Sequence, residues 1–125
     1  MSVDKKHLAL FKKWISRLGL TEWRIKFVDN CAPEDMILAD SCGCTEFQES
    51  TRTAKVQILD EKYWGSRIIP YDYEEIIVHE LLHLKTCFLT NTDDALQERI
   101  GHQLIDDLAR ALVAAQRDKE QSDGA

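Results

Sequence analysis

The hydrophobic positions of this 125-residue chain change their period twice along its length. Over residues 4–19, Leu8, Phe11, Ile15 and Leu18 recur at three- and four-residue spacing, which predicts an amphipathic helix ended by Gly19. The period then drops to two. Trp23, Ile25 and Phe27 alternate with Arg24 and Lys26, the pattern of a half-buried strand. A turn carrying Pro33 is expected over residues 30–35. A second extended stretch follows over 36–48, interrupted at Gly43, where a bulge or turn is expected. Ala54, Val56 and Ile58 alternate with Lys55, Gln57 and Leu59 and predict a third strand.

The helical period returns after a loop over residues 60–71 that contains Trp64-Gly65 and Pro70. Asp72 and Glu75 form a capping-box pattern, opening a helix over about 73–89 that is apolar nearly all round, as buried helices are. Residues 91–94 are polar and of N-cap type, and a last helix is expected from about 94 to 117. The polar tail, 118–125, is expected to fray. No repeat or linker divides the chain, and 125 residues suffice for one core. The expectation is a single α+β domain over residues 1–125. An N-terminal helix precedes a three-stranded, mainly antiparallel sheet, and two helices close the chain.

His79-Glu80-Leu81-Leu82-His83 lies on the buried helix. Residues four apart share a helical face, so both imidazoles can reach one metal ion. Glu80 sits about 100° round from His79, where its carboxylate can act on water without ligating the metal. This is the arrangement of hydrolytic zinc sites. With 4 His in the chain, chance placement of the pattern arises in about one such chain in a hundred. Burying two imidazoles and a carboxylate carries a desolvation cost that one Zn2+ per chain relieves. A satisfied core-histidine network is the alternative.

A catalytic zinc generally takes three protein ligands and leaves one position open. If the two last helices fold back about the polar break, His83 faces Glu98 and His79 faces His102. The apolar stripe of the last helix runs through Gly101, Ile105, Leu108, Ala109 and Leu112. Glu98 falls roughly 40° from its centre and His102 roughly 75°. Glu98 is therefore the expected third ligand, with His102 as a hydrogen-bonding support for a ligand.

With these residues in place, the chain resembles a minimal gluzincin. More closely, it resembles the small metallopeptidases encoded by phages and prophages. The likeness spans about residues 8 to 115. It rests on Leu20-Thr21-Glu22-Trp23, on Val78-His79-Glu80-Leu81-Leu82-His83-Leu84 and on Gln97-Glu98. In larger gluzincins an aspartate often stands four residues after the ligand glutamate and supports the first histidine; this chain has His102 there. The resemblance implies a peptide or protein substrate, lying extended along the edge of strand three.

Net charge is −6 with a pI near 5.2, which argues against nucleic acid as the main partner. Lys5, Lys6, Lys12 and Lys13 are read as a solvated helix face, and His7 as an exposed residue beside them. No run approaches membrane-spanning length, and residues 1–6 lack the apolar stretch of a signal peptide. Cys31, Cys42, Cys44 and Cys87 are therefore expected as reduced thiols in the cytosol, of a bacterium or a phage-infected host. Cys42 and Cys44 share one face of a strand without a C-x-x-C partner, so a second zinc is not favoured. Trp14, Trp23 and Trp64 are expected in the core or at its rim. Tyr63, Tyr71 and Tyr73 flank the metal helix, and sequence does not rank them as oxyanion donors.

The leading expectation is zinc-dependent peptide-bond hydrolysis with Glu80 as general base. One alternative is a zinc-containing regulatory or binding module, its site closed by a fourth side chain from Cys87 or His102. The other is a DNA-associated protease of the SprT-like group.

Overall fold

Asp4 begins the first helix by accepting the amide hydrogens of Lys6 and His7. The computed structural model describes residues 4–38, 41–87 and 93–123. Helix α1 (Lys5–Arg17) ends at Gly19, whose φ of 69° suits a residue without a side chain. The strands are β1 (Arg24–Cys31), β2 (Gly43–Gln48) and β3 (Thr53–Leu59). Two short 3-10 turns, Pro33–Asp35 and Glu61–Tyr63, lie between elements. Helix α2 (Tyr73–Lys85) carries the two motif histidines, and α3 (Ala95–Asp123) continues beyond the expected end near 117. Residues 88–92, which include the expected last turn of the metal helix and half of the polar break, lie outside the described residues.

The layout is the expected α+β one, with a mixed sheet in the order β1-β3-β2. β1 runs parallel to β3, and β2 antiparallel to it. Alternation along a strand carries no sign of its neighbour's direction, because parallel and antiparallel pairs both turn alternate side chains to one face. One expectation is corrected here: β3 is the central strand, hydrogen-bonded on both sides, so it has no free edge for a peptide. The edges belong to β1 and β2.

α2 packs on β2 and β3 with α1 and α3 against its other sides. This explains why a motif helix should be apolar almost all round. Val56, Ile58, Ile77, Val78 and Leu81 meet at the centre, and Ile105, Ala109 and Val113 close the core from α3. Trp14 is buried there too, and Phe11 stacks on Phe27 at 4.1 Å. On the other side of the sheet, the buried Gln57 amide bonds the Ile37 amide and the Asp35 carbonyl, both at 2.8 Å, and ties down the segment after β1. His7 is not simply exposed. It stacks on Tyr73 with centroids 3.3 Å apart, and its Nδ1 lies 2.8 Å from Asp29.

Polar contacts fix how far α3 slides along α2. Arg117 grips Asp72 with two hydrogen bonds of 2.8 and 2.9 Å and reaches Glu74 at 3.4 Å. Buried Glu74 also accepts the Trp14 indole at 2.7 Å and pairs with Lys13 at 3.3 Å, joining all three helices.

Candidate metal centre

His79 and His83 project from one face of α2, and His102 of α3 joins them. Each offers a ring nitrogen within 4.8 Å of the other two. Ring centroids lie 5.1 Å apart for His79–His83, 5.9 Å for His79–His102 and 4.9 Å for His83–His102. Among the described residues, no Asp, Glu or Cys belongs to this group. His79 Nδ1 lies 3.6 Å from Asp106 Oδ1, and Arg110 holds the second oxygen of that carboxylate at 3.2 Å.

Glu98 stands outside the group and is exposed. The difference from the expectation is one of level and also of helical phase, since Leu108 of the expected stripe is exposed and Val113 is buried, which turns the buried face toward His102. The observed facing pairs are His83 with His102 and His79 with Asp106. That is one helical turn further along α3 than a hairpin folded about residues 91–94 implies. The Arg117 contacts with Asp72 and Glu74 hold that level. Glu98 is left in the first turn of α3, where its amide donates to the Asp94 carbonyl at 2.9 Å.

Glu80 is 4% exposed and turns toward the sheet. The Thr45 hydroxyl of β2 lies 2.6 Å from its Oε1 and 3.1 Å from its backbone carbonyl. Gly43 is neither a bulge nor a turn. It opens β2, and its missing side chain makes room for Glu80: a Cβ there would stand 2.7 Å from Oε2 and 2.9 Å from Cγ. Burial pushes the Glu80 carboxyl up to about 7, partly opposed by the Thr45 hydrogen bond. Burial, reinforced by its two histidine neighbours, pushes His83 down to about 4. Burial also lowers His79, against the pull of Asp106.

These environments fit a metal. Burial favours the neutral form of both α2 imidazoles, in which each presents a lone pair, and three imidazoles are a known zinc donor set. Nitrogens of a tetrahedral site with normal Zn–N bonds stand roughly 3.3 Å apart, inside the 4.8 Å within which all three donors lie. A cavity of about 510 Å³ opens beside the cluster, shared by Cys42, His79, Glu80 and Asp106. Burial and the nearby Glu80 raise the Cys42 thiol, which keeps it protonated. None of the three tyrosines lines this cavity, and the Tyr71 hydroxyl donates to the Leu59 carbonyl at 2.9 Å.

Thr45 and Asp106 were not singled out from the sequence, and Gly43 was read there only as a break in an extended run. Asp106 had a legible signal, four residues after a histidine on the same helix. Thr45 had none. Family models, curated proteins and solved structures were all compared with the chain, and none matches it.

Proposed function

We propose that this chain is a zinc-dependent peptidase in which His79, His83 and His102 hold the metal and Glu80 carries the proton. The observation behind this reading is that His79, one of three convergent imidazoles, lines the same cavity as Glu80, a buried carboxylate that Thr45 holds on the sheet side of α2. A purely structural metal needs only the imidazoles and a fourth closing ligand. Here the group has three donors among the described residues, which supports a position open to water.

Bound zinc would polarise the scissile carbonyl and acidify water. Glu80 takes the proton as the water oxygen bonds to the carbonyl carbon. It returns that proton to the leaving nitrogen as the C–N bond breaks, giving a carboxylic acid and an amine. Asp106 favours the His79 tautomer with its proton on Nδ1 and leaves the other ring nitrogen for the metal. On the gluzincin resemblance, an aspartate belongs four residues after the third ligand, and with His102 as that ligand Asp106 takes the place. The outer edge of β2 has no strand partner among the described residues and runs beside Glu80, so an extended peptide would add there.

We place the protein in a reducing cytosol. None of its four cysteines is in a disulfide, and no helix among the described residues is long and apolar enough to cross a membrane.

The test is mass spectrometry of a complex peptide library after incubation with the zinc-loaded protein, beside metal analysis of the same samples. Cleavage should vanish in Glu80→Gln while zinc stays stoichiometric. Loss of zinc in Glu80→Gln, or full zinc retention in a His79→Ala/His83→Ala variant, overturns the assignment.

A further inference from the structure

Helix α3 carries two apolar faces, and the core uses only one of them. Ile105, Ala109 and Val113 enter the core. Leu96, Ile100, Leu104 and Leu108 recur every four residues on another side of the helix and stay 61%, 55%, 53% and 38% exposed. None of these four is part of the core. Residues four apart are neighbours on a helix surface, so they form one contiguous row about 18 Å long. A contiguous apolar patch of this kind marks an interaction surface, unlike single exposed leucines. We propose that a second copy of the chain docks on this row, α3 against α3, antiparallel about a two-fold axis.

Charge complementarity points to a second copy rather than to an unlike partner. Beside the apolar row runs a polar one of Arg99, Gln103 and Asp107, all exposed. In an antiparallel pair, residues equally far from the midpoint face each other. The apolar row is centred on position 102 and the polar row on 103, only about 1.5 Å apart along the axis. Leu96 therefore meets Leu108 of the partner subunit, and Ile100 meets Leu104 of the partner subunit. Arg99 meets Asp107 of the partner subunit, twice per dimer, and Gln103 lies against its own copy. Among the described residues Arg99 has no ion pair, and Asp107 pairs with Arg110 alone. The Asp107 carboxylate keeps lone pairs for a second cation. A row whose chemistry is complementary to itself reversed is what an isologous interface requires. A parallel pair brings neither charge to its opposite.

The next row round α3 holds His102, Asp106 and Arg110, which face the histidine cluster and the cavity. Pairing through the apolar row therefore leaves the cavity open, and the dimer stands independently of the hydrolytic reading. The contact involves one helix from each copy, at the small end of specific interfaces. Dissociation is accordingly expected at about 1 to 100 μM.

Sedimentation velocity of the full chain, from about 1 to 500 μM, should show the mass rising from 14.4 kDa toward twice that value. Ile100→Glu/Leu104→Glu, altered only at exposed positions, should stay monomeric throughout and keep its far-ultraviolet circular dichroism. The charges supply a second test that leaves the apolar row intact. Arg99→Glu and Asp107→Arg should each weaken self-association about tenfold, because each sets like charges against each other in both contacts. An equimolar mixture of the two variants should associate as tightly as the parent, since both contacts of the mixed dimer then join opposite charges. A parent that stays monomeric to the highest concentration overturns the proposal, as does a dimer that survives Ile100→Glu/Leu104→Glu. A mixture no tighter than the single variants also overturns it, because the antiparallel pairing is then wrong. Each result leaves the hydrolytic reading where it stood, since zinc content and cleavage decide that.

Discussion

At the residue scale, His83 and His79 stand in one three-histidine cluster as their spacing implies, and the hairpin argument placed Glu98 where His102 stands. His79, Glu80 and His83 are set by spacing within one helix, and such spacing is rigid. The donor from α3 depends on how far one helix slides along another, which the polar break did not fix. The arrangement predicts that His102→Ala lowers zinc affinity by more than about 100-fold, that Asp106→Asn lowers it about 10- to 100-fold, and that Glu98→Ala leaves it unchanged. A chelator competition titration ranks the three, and a larger effect for Glu98 than for His102 rejects the observed level. The metal-free protein should also show two opposed pH effects. Glu80 has its folded pKa raised, so its contribution is present below about 4.5 and lost as pH rises through about 7. His83 has its folded pKa lowered, so its contribution is present above about 6.5 and lost as pH falls through about 4. Between pH 7 and 4.5 Glu80 opposes His83 and the likewise lowered His79, so stability should change less than the histidines alone would make it. Glu80→Gln removes one side of the balance. Its denaturation midpoint, measured without metal, should fall steadily as pH drops below 6.5; a fall no steeper than the parent's rejects the assignment of these burial effects.

At the element scale, helices were legible in type and strands in position, but strand partners were not. Alternation located β1 and β3, yet their parallel pairing around a central β3 follows from three-dimensional connection, which no local pattern encodes. Gly43 illustrates the same limit. A glycine in an extended run reads as a break, and close approach of another group is the other physical reason for one. Here the approaching group is the Glu80 side chain. Gly43→Ala should therefore destabilise the protein by about 1–3 kcal/mol, the range for overpacking a filled site. Thr45 blocks the easy escape, because moving Glu80 away breaks their hydrogen bond. The change should remove hydrolysis while sparing zinc, since the imidazoles lie on another face of α2. Urea denaturation together with metal analysis checks both halves, and a neutral ΔΔG removes the packing argument.

At the scale of the whole molecule, the candidate metal centre straddles two helices that the fold already holds together. α2 lies among the sheet, α1 and α3, and its buried residues form one core with Val56, Ile58 and Leu20 on one side and Ile105, Ala109 and Val113 on the other. Glu74 adds polar ties from Trp14, Lys13 and Arg117. None of these contacts involves the three histidines. The protein should accordingly remain folded without metal, unlike small domains whose core cannot form until zinc binds. Zinc should still stabilise it, because His79 and His83 come from α2 and His102 from α3, and only the folded chain brings them together. At a free zinc concentration of 100 times Kd the gain is about 2.7 kcal/mol. For a domain of this size that raises the unfolding temperature by roughly 10 °C. Chelator should lower the transition by about that much and leave the far-ultraviolet circular dichroism at 25 °C unchanged. His102→Ala should reduce the zinc-dependent increment while leaving the metal-free transition where it was. Collapse of the native signal on chelation would instead mean that zinc supplies the fold, and the centre would then be a staple rather than a site built to leave one position for chemistry.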